Sequence, residues 1–183
     1  MSKIVAIISS PRKNGNTDFL VNTAAKAAEE NGNEVQTFYL NKLANKKGCQ
    51  GCNACKMNGG SCVTKDDLTP ILDAIRDADG IILSSPVYFG EACGQYRMLE
   101  DRLYGFLKAD FSISFNPGKK VAVITAAGSA GADALADKIE GVMKGYFKCE
   151  PVGKLAVVTK NEKDFSEKNA DLIAQAKALG SKF

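Results

Sequence analysis

Apolar positions along the chain alternate between short unbroken runs and stripes spaced three and four residues apart. Lys3 to Ser9 is a nearly continuous apolar run, the pattern of a strand buried on both faces. Thr17 to Glu30 sets Phe19, Leu20, Ala24, Ala27 and Ala28 on one side and predicts a helix, with Asn16 or Thr17 as N-cap and Asn31-Gly32 as the stop. Glu34 to Leu40 alternates Val35, Thr37 and Tyr39 against Gln36 and Phe38, a second strand. Asp67 to Ala78 predicts a helix with Leu68, Ile71, Leu72 and Ile75 on one stripe and Pro70 in its first turn, where a missing N–H is harmless. Gly80 to Ser85 is a third buried strand, Pro86 to Gly94 a loop, and Gln95 to Leu107 a helix facing inward with Met98, Leu99, Leu103 and Phe106. Beyond the Asn116-Pro117-Gly118 turn, Lys119 to Thr125 predicts a fourth strand, Asp133 to Phe147 a helix, Lys154 to Thr159 a fifth strand and Ser166 to Leu179 a closing helix. Residues 41–66 show no period, and a loop of that length inside a domain is usually functional.

Five strands with intervening helices imply an α/β fold, a doubly wound five-stranded parallel sheet with helices on both faces. The order expected of such a sheet is 2-1-3-4-5. The whole chain, 1–183, reads as a single domain carrying a cysteine-rich insertion at about 41–66. Ligands of this architecture bind outside the carboxyl ends of the strands, so the loops after strands one, three and four are where function is expected.

Composition narrows the chemistry. The chain is 45% hydrophobic and 25% charged, as in a folded soluble protein. The net charge of +3 is too weak to argue for nucleic acid. No run approaches a membrane span and no targeting signal is evident, so a cytoplasmic protein without a membrane partner is expected. Histidine is absent, which excludes a Ser-His-Asp triad, a Cys-His dyad and any His-ligated zinc. Chemistry must run on a cofactor or on groups other than imidazole.

The first loop reads Ser9-Ser10-Pro11-Arg12-Lys13-Asn14-Gly15-Asn16-Thr17 and enters a helix. A helix N-terminus offers free N–H groups and a positive dipole end, which favour phosphate. Ser9, Ser10, Arg12, Asn14, Asn16 and Thr17 are the candidate cage. No P-loop or G-x-G-x-x-G is present, and the second strand ends without an acid for a dinucleotide ribose. The third loop offers Pro86, Val87, Tyr88, Phe89 and Gly90, flat apolar walls with close backbone approach for a planar ring. The fourth offers Thr125, Ala126, Ala127 and Gly128, small residues able to line a ring edge. Taken singly, each of these loops also reads as an ordinary capped helix, core aromatics or a tight turn.

Taken together, Ser9-Ser10-Pro11-Arg12 with Asn16-Thr17, Ser85 to Gly90, Gln95 to Arg102 and Thr125 to Gly128 resemble the NADPH-dependent FMN reductase group of the flavodoxin-like superfamily. The resemblance runs from the N-terminus to about residue 131. It implies that the first loop binds the FMN phosphate and that the other two hold the isoalloxazine ring.

Cys49-x2-Cys52-x2-Cys55-x6-Cys62 is a compact thiolate run of the kind that ligates iron–sulfur clusters. It resembles the cysteine motif of the iron–sulfur flavoproteins, which add a 4Fe–4S cluster beside FMN. It lacks the C-x3-C-P ending of bacterial ferredoxins, so Cys62 is the least secure of the four. Plain or disulfide-forming thiols and a zinc site made of the four cysteines are the alternatives, and a cluster could be lost on handling in air. Cys93 and Cys149 read as buried filler.

The expectation is an FMN-dependent oxidoreductase of the iron–sulfur flavoprotein type. It would take electrons from NAD(P)H or reduced ferredoxin and pass them to quinone, flavin, oxygen or peroxide. A clusterless NAD(P)H-dependent FMN or quinone reductase, a pure electron carrier and a colourless zinc module are the competing readings. The resemblance further implies a homodimer or homotetramer with flavin sites near the subunit interface.

Overall fold

A computed structural model describes residues 1–183. In chain order the elements are β1 (Lys3–Ile8), α1 (Asn16–Glu30), β2 (Glu34–Tyr39), α2 (Ala54–Met57), α3 (Thr69–Asp77), β3 (Gly80–Tyr88), β4 (Glu91–Ala92), α4 (Gly94–Leu103), β5 (Lys120–Ala127), α5 (Ala132–Phe147), β6 (Glu150–Val158) and α6 (Ala170–Gly180). The five long strands are parallel and run in the order β2-β1-β3-β5-β6, the doubly wound order expected from the pattern. The added strand β4 pairs antiparallel with the end of β3.

Each central strand divides its side chains between two cores. Val5 and Ile7 of β1, Ile81 and Leu83 of β3, and Val121 and Val123 of β5 pack under α3, α4 and α5. Ile4, Ala6 and Ile8, Ile82, and Ala122 and Ile124 pack under α1 and α6. This is why the strands read as unbroken apolar runs rather than alternating ones.

The structure departs from the sequence pattern where proline and glycine punctuate. The segment read as a loop from Pro86 to Gly94 instead extends β3 to Tyr88 and turns back at Phe89-Gly90. Both turn residues have positive φ, +53° and +81°, as a two-residue hairpin turn requires. Pro86 is tolerated because β1 stops pairing with β3 at Leu83, leaving β3 an open side there. β6 starts four residues earlier than predicted, because Pro151 and Gly153 look like a turn but sit at a bulge in an edge strand. α6 starts at Ala170 rather than Ser166, capped by Asn169, whose Oδ1 accepts from the N–H groups of Asp171 (3.1 Å) and Leu172 (3.2 Å). The N-cap of α1 is Gly15, neither Asn16 nor Thr17, and no side chain caps it. No helix is long and apolar enough to cross a membrane.

α1 and α6 touch through Gly180: a Cβ built there would lie 2.0 Å from the carbonyl oxygen of Ala24. Gly180→Ala is expected to force the helices apart and lower the unfolding free energy by about 1–3 kcal/mol. Gly141→Ala, in the middle of α5 with no neighbour within 4 Å, should instead add about 0.5–1 kcal/mol. Urea unfolding of the two variants checks the pair, and equal shifts would contradict the packing described.

Candidate functional site

β1 and β3 part at the carboxyl end of the sheet, and buried hydroxyls take over from the strand ladder there. Ser84 Oγ donates to the carbonyl of Ile7 (2.7 Å), and Ser9 Oγ donates to the carbonyl of Ser84. Ser85 Oγ accepts from the N–H of Cys93 (3.0 Å), and the Cys93 thiol lies 3.3 Å from the carbonyl of Ser9. Ser9, Ser84, Ser85 and Cys93 are all fully buried. Every buried polar group here finds a partner, which is the condition for ending two strands beneath a cleft.

Above this floor lies a cleft enclosing about 150 Å³. Its walls come from the β1–α1 loop (Ser10, Arg12, Gly15, Asn16, Thr17), the end of β3 (Pro86, Val87, Tyr88), the end of β5 (Ala126, Ala127, Gly128) and the segment after β6 (Thr159, Asn161, Lys163). Ten of the predicted site residues therefore meet around one space. The other five stand elsewhere. Ser9 lies in the floor, and Thr125 is buried with its Oγ1 donating to the carbonyl of Ala132 (2.8 Å). Asn14 forms the left-handed bend of the first loop (φ +55°), its N–H donating to Asp18 Oδ2 (2.7 Å). Phe89 and Gly90 form the hairpin tip, where Phe89 is fully exposed rather than part of a wall. The tip needs positive φ at both positions, and this carries the Phe89 ring out of the cleft.

The electrostatics of the cleft are one-sided. Arg12 and Lys163 are the charged residues of the lining, and no carboxylate joins them. The α1 N-terminus, uncapped by any side chain, opens beside them. Asn41 steadies the first loop from outside: its Nδ2 donates to the carbonyl of Pro11 (3.3 Å), and its Oδ1 accepts from Gln95 (3.0 Å).

The wall after β6 was not anticipated. Asn16 ties it to α1, with Nδ2 donating to the carbonyl of Glu162 (2.7 Å) and Oδ1 accepting from the N–H of Ser166 (2.7 Å). Lys160 and Asn161 are both left-handed (φ +52° and +63°), a conformation costing about 1–3 kcal/mol each outside glycine, less for asparagine. The Asn161 amide lies over Gly128, where a Cβ would come within 2.1 Å of its Oδ1. The available sequence signal was only position: these residues follow the last strand at the edge where doubly wound sheets bind ligands.

The cysteine segment lies apart from this cleft. Cys49 and Cys52 are exposed, Cys62 is half-buried and Cys55 is buried at the start of the four-residue α2. All are free thiols, and no three His, Cys, Asp or Glu side chains stand close enough to hold a metal ion. The four predicted ligands are thus not converged in this fold: Cys55 and Cys62 turn inward while Cys49 and Cys52 stand at the surface. A second cavity of about 300 Å³ lies against Cys62 and is lined also by Lys65, Arg76 and Arg102. The Nε–H of both arginines is buried without an acceptor.

One buried ion pair clamps both ends of this segment. Arg102 donates to the carbonyls of Lys47 (3.0 Å) and Thr64 (2.9 Å) and to Asp66 Oδ2 (2.8 Å). Asp66 also accepts from the N–H groups of Lys47 (2.9 Å) and Leu68 (3.1 Å). Burial pushes the Asp66 carboxyl up, but the Arg102 hydrogen bond, the Lys47 N–H and the Arg102 charge outweigh it and hold it below its ordinary value of 3.8. A depressed carboxylate contributes stability above its unfolded pKa and loses it as pH falls through the folded one. Asp66→Asn is therefore expected to lower stability by about 3–5 kcal/mol at pH 7, as one half of a buried pair removed. The gap to the parent should shrink below pH 3.8. Urea unfolding at neutral and acidic pH reads both values, and a gap independent of pH would remove the pair from the clamp.

The family profile described as NADPH-dependent FMN reductase matches residues 2–164. An iron-sulfur flavoprotein of Methanocaldococcus jannaschii is 43% identical over 123 residues, 66% of this chain and 61% of that protein. One from Methanosarcina thermophila is 33% identical over 121 residues, 66% of this chain and 62% of its own length. The chain thus aligns with less than two thirds of either relative. Among solved structures, a flavodoxin from the domain Archaea superposes with a TM-score of 0.60 over 100% of this chain and 95% of its own at 15% identity, a likeness of fold.

Proposed function

Because the chain belongs to the NADPH-dependent FMN reductase family, we propose that it is an FMN-dependent oxidoreductase that uses NAD(P)H or reduced ferredoxin to reduce a quinone, flavin, oxygen or peroxide. The observation that carries this reading is the cleft: an uncapped helix N-terminus and an unpaired Arg12 at one end, and the Pro86–Tyr88 and Ala126–Gly128 walls at the other. The residues present fit FMN. Arg12, the hydroxyls of Ser10 and Thr17 and the first N–H groups of α1 would hold its phosphate. Tyr88 and Val87 give one side of a ring site, and Ala126 to Gly128 let the backbone approach its edge. When bound, FMN supplies the hydride and electron chemistry. The protein's part is then to bind, orient and exclude, and no carboxylate of this chain lines the cleft.

The enclosed volume is below the roughly 300–1,000 Å³ of ordinary cofactor pockets. The outer ring edge would therefore face outward, towards a second substrate or a second subunit. The exposed Phe89 tip beside it is apolar surface that a second copy would bury, which supports the expected homo-oligomer.

Loaded with FMN, the protein is expected to oxidise NADH or NADPH with a quinone acceptor at steady state. Arg12→Ala should weaken FMN binding about tenfold to hundredfold, the worth of a charged hydrogen bond. Flavin fluorescence titration and turnover against added FMN read both. Flavin binding without turnover would leave an electron carrier.

A second reading adds a 4Fe–4S cluster on Cys49, Cys52, Cys55 and Cys62. Its support is the close spacing of the four cysteines in sequence, the two acceptorless arginine N–H groups lining the cavity at Cys62, and the description of both relatives as iron-sulfur flavoproteins. Against it stands the spread of the thiols, so the segment would have to close around the metal. Protein purified without oxygen should then carry about four irons per chain. Cys52→Ala should remove the iron and spare the flavin. Iron-free protein with full flavin would leave the clusterless reductase.

A further inference from the structure

We propose that Lys163 is a second phosphate-binding residue of the FMN site, lining the same cleft as Arg12 and the open start of α1. The inference rests on the FMN reading above and concerns a segment outside the loops that carry the sequence motif. Lys163 lines the cleft together with Arg12 and Thr17, and its ammonium has no ion pair or hydrogen bond. The neighbouring carboxylate, Asp164, is already paired with Lys168 at 2.5 Å.

A phosphate monoester carries about −1.5 to −2 charges near neutrality. A helix N-terminus offers about +0.5 and Arg12 one full charge. The two together give about +1.5, enough for the lower end of that range, and a further cation covers the full dianion. Lys163 is placed to supply it because its segment is held in position. Asn16, the first residue of α1, bonds Glu162 on one side and Ser166 on the other, both at 2.7 Å. The chain thus enters and leaves Lys163 under restraint from the helix whose N-terminus would hold the phosphate. Two cations lining one cleft without a carboxylate favour an anion there.

The consequence is selectivity for the phosphorylated flavin. Apoprotein titrated by flavin fluorescence should bind FMN about tenfold or more weakly in Lys163→Gln, with riboflavin affinity unchanged. Lys163→Arg should restore most of the loss, and the FMN affinity of Lys163→Gln should depend less on salt than that of the parent. Unchanged FMN affinity in Lys163→Gln, or an equal loss for riboflavin, would overturn the assignment. A parent chain that binds FMN no better than riboflavin would instead overturn the phosphate site itself, Arg12 included.

Discussion

Everything at the functional end of the molecule hangs from the way two neighbouring strands are allowed to stop. β1 and β3 pair only as far as Ile7 and Leu83. Past that point each strand still pairs on its far side, but the sides facing each other lose their ladder, and an unpaired buried carbonyl or N–H is costly. The side chains of Ser84 and Ser9, bonded to the carbonyls of Ile7 and Ser84, meet that demand. So does Ser85, which takes the N–H of Cys93 at the start of α4. Short hydroxyl side chains are the residues able to do this without filling the gap between the strands. The gap then becomes the cleft, with the β1–α1 loop on one side and the ends of β3 and β5 on the other.

That floor is neutral and fully satisfied, whereas the walls above it are deliberately incomplete. Arg12 and Lys163 have no acidic partners, and α1 begins at Gly15 without a capping side chain. Each forgoes a stabilising partner, though a glycine in place of a capping side chain costs only about a few tenths of a kcal/mol. Asp18 shows that the loop could have been capped more fully, because its carboxylate turns back to the N–H of Asn14. It does so from beneath the loop, leaving the N–H groups that open into the cleft uncovered. Unpaired cations beside an open helix start, above a floor whose buried groups are all matched, are what an anion would find in this cleft.

Much of this was legible in the residues. The five parallel strands, their order and the three loops at the carboxyl edge follow from apolar runs separated by helical stripes, and ten of fifteen predicted site residues line one space. What escaped had local physical causes. The hairpin was hidden because Phe89 occupies a left-handed position normally advertised by Asn or Gly, so the aromatic that reads as a ring wall is instead the tip of a turn. The early start of β6 was hidden by Pro151 and Gly153, which an edge strand tolerates and a central one does not. The fourth wall was hidden because Asn16 signals a helix cap, and its actual role, bridging to Glu162 and Ser166, depends on a contact across most of the chain.

The cysteine segment obeys a different logic from the cleft. Its ends are clamped, and its middle is tied down at Gly60, whose carbonyl accepts from Arg76 (2.9 Å) and Ser114 (2.9 Å). One guanidinium, Arg102, holds the carbonyls of Lys47 and Thr64 together, and Asp66 neutralises it out of water. Closing a loop at its base removes most of the entropy cost of rearranging its interior, since the ends no longer have to find each other. Between the clamped ends, Cys49 and Cys52 remain exposed, and only Cys55 is buried. Cys62 packs against the larger core, so the stretch that stands clear of it is the exposed one carrying Cys49 and Cys52. The acceptorless N–H groups of Arg76 and Arg102 lie under its Cys62 end, not under the cleft. Polar capacity is thus held in reserve at two places in this fold, as unpaired cations over α1 and as unmatched donors under the cysteines. The first lines the cleft beside the restrained start of α1, and the second lies against Cys62 at the base of the segment that Arg102 clamps.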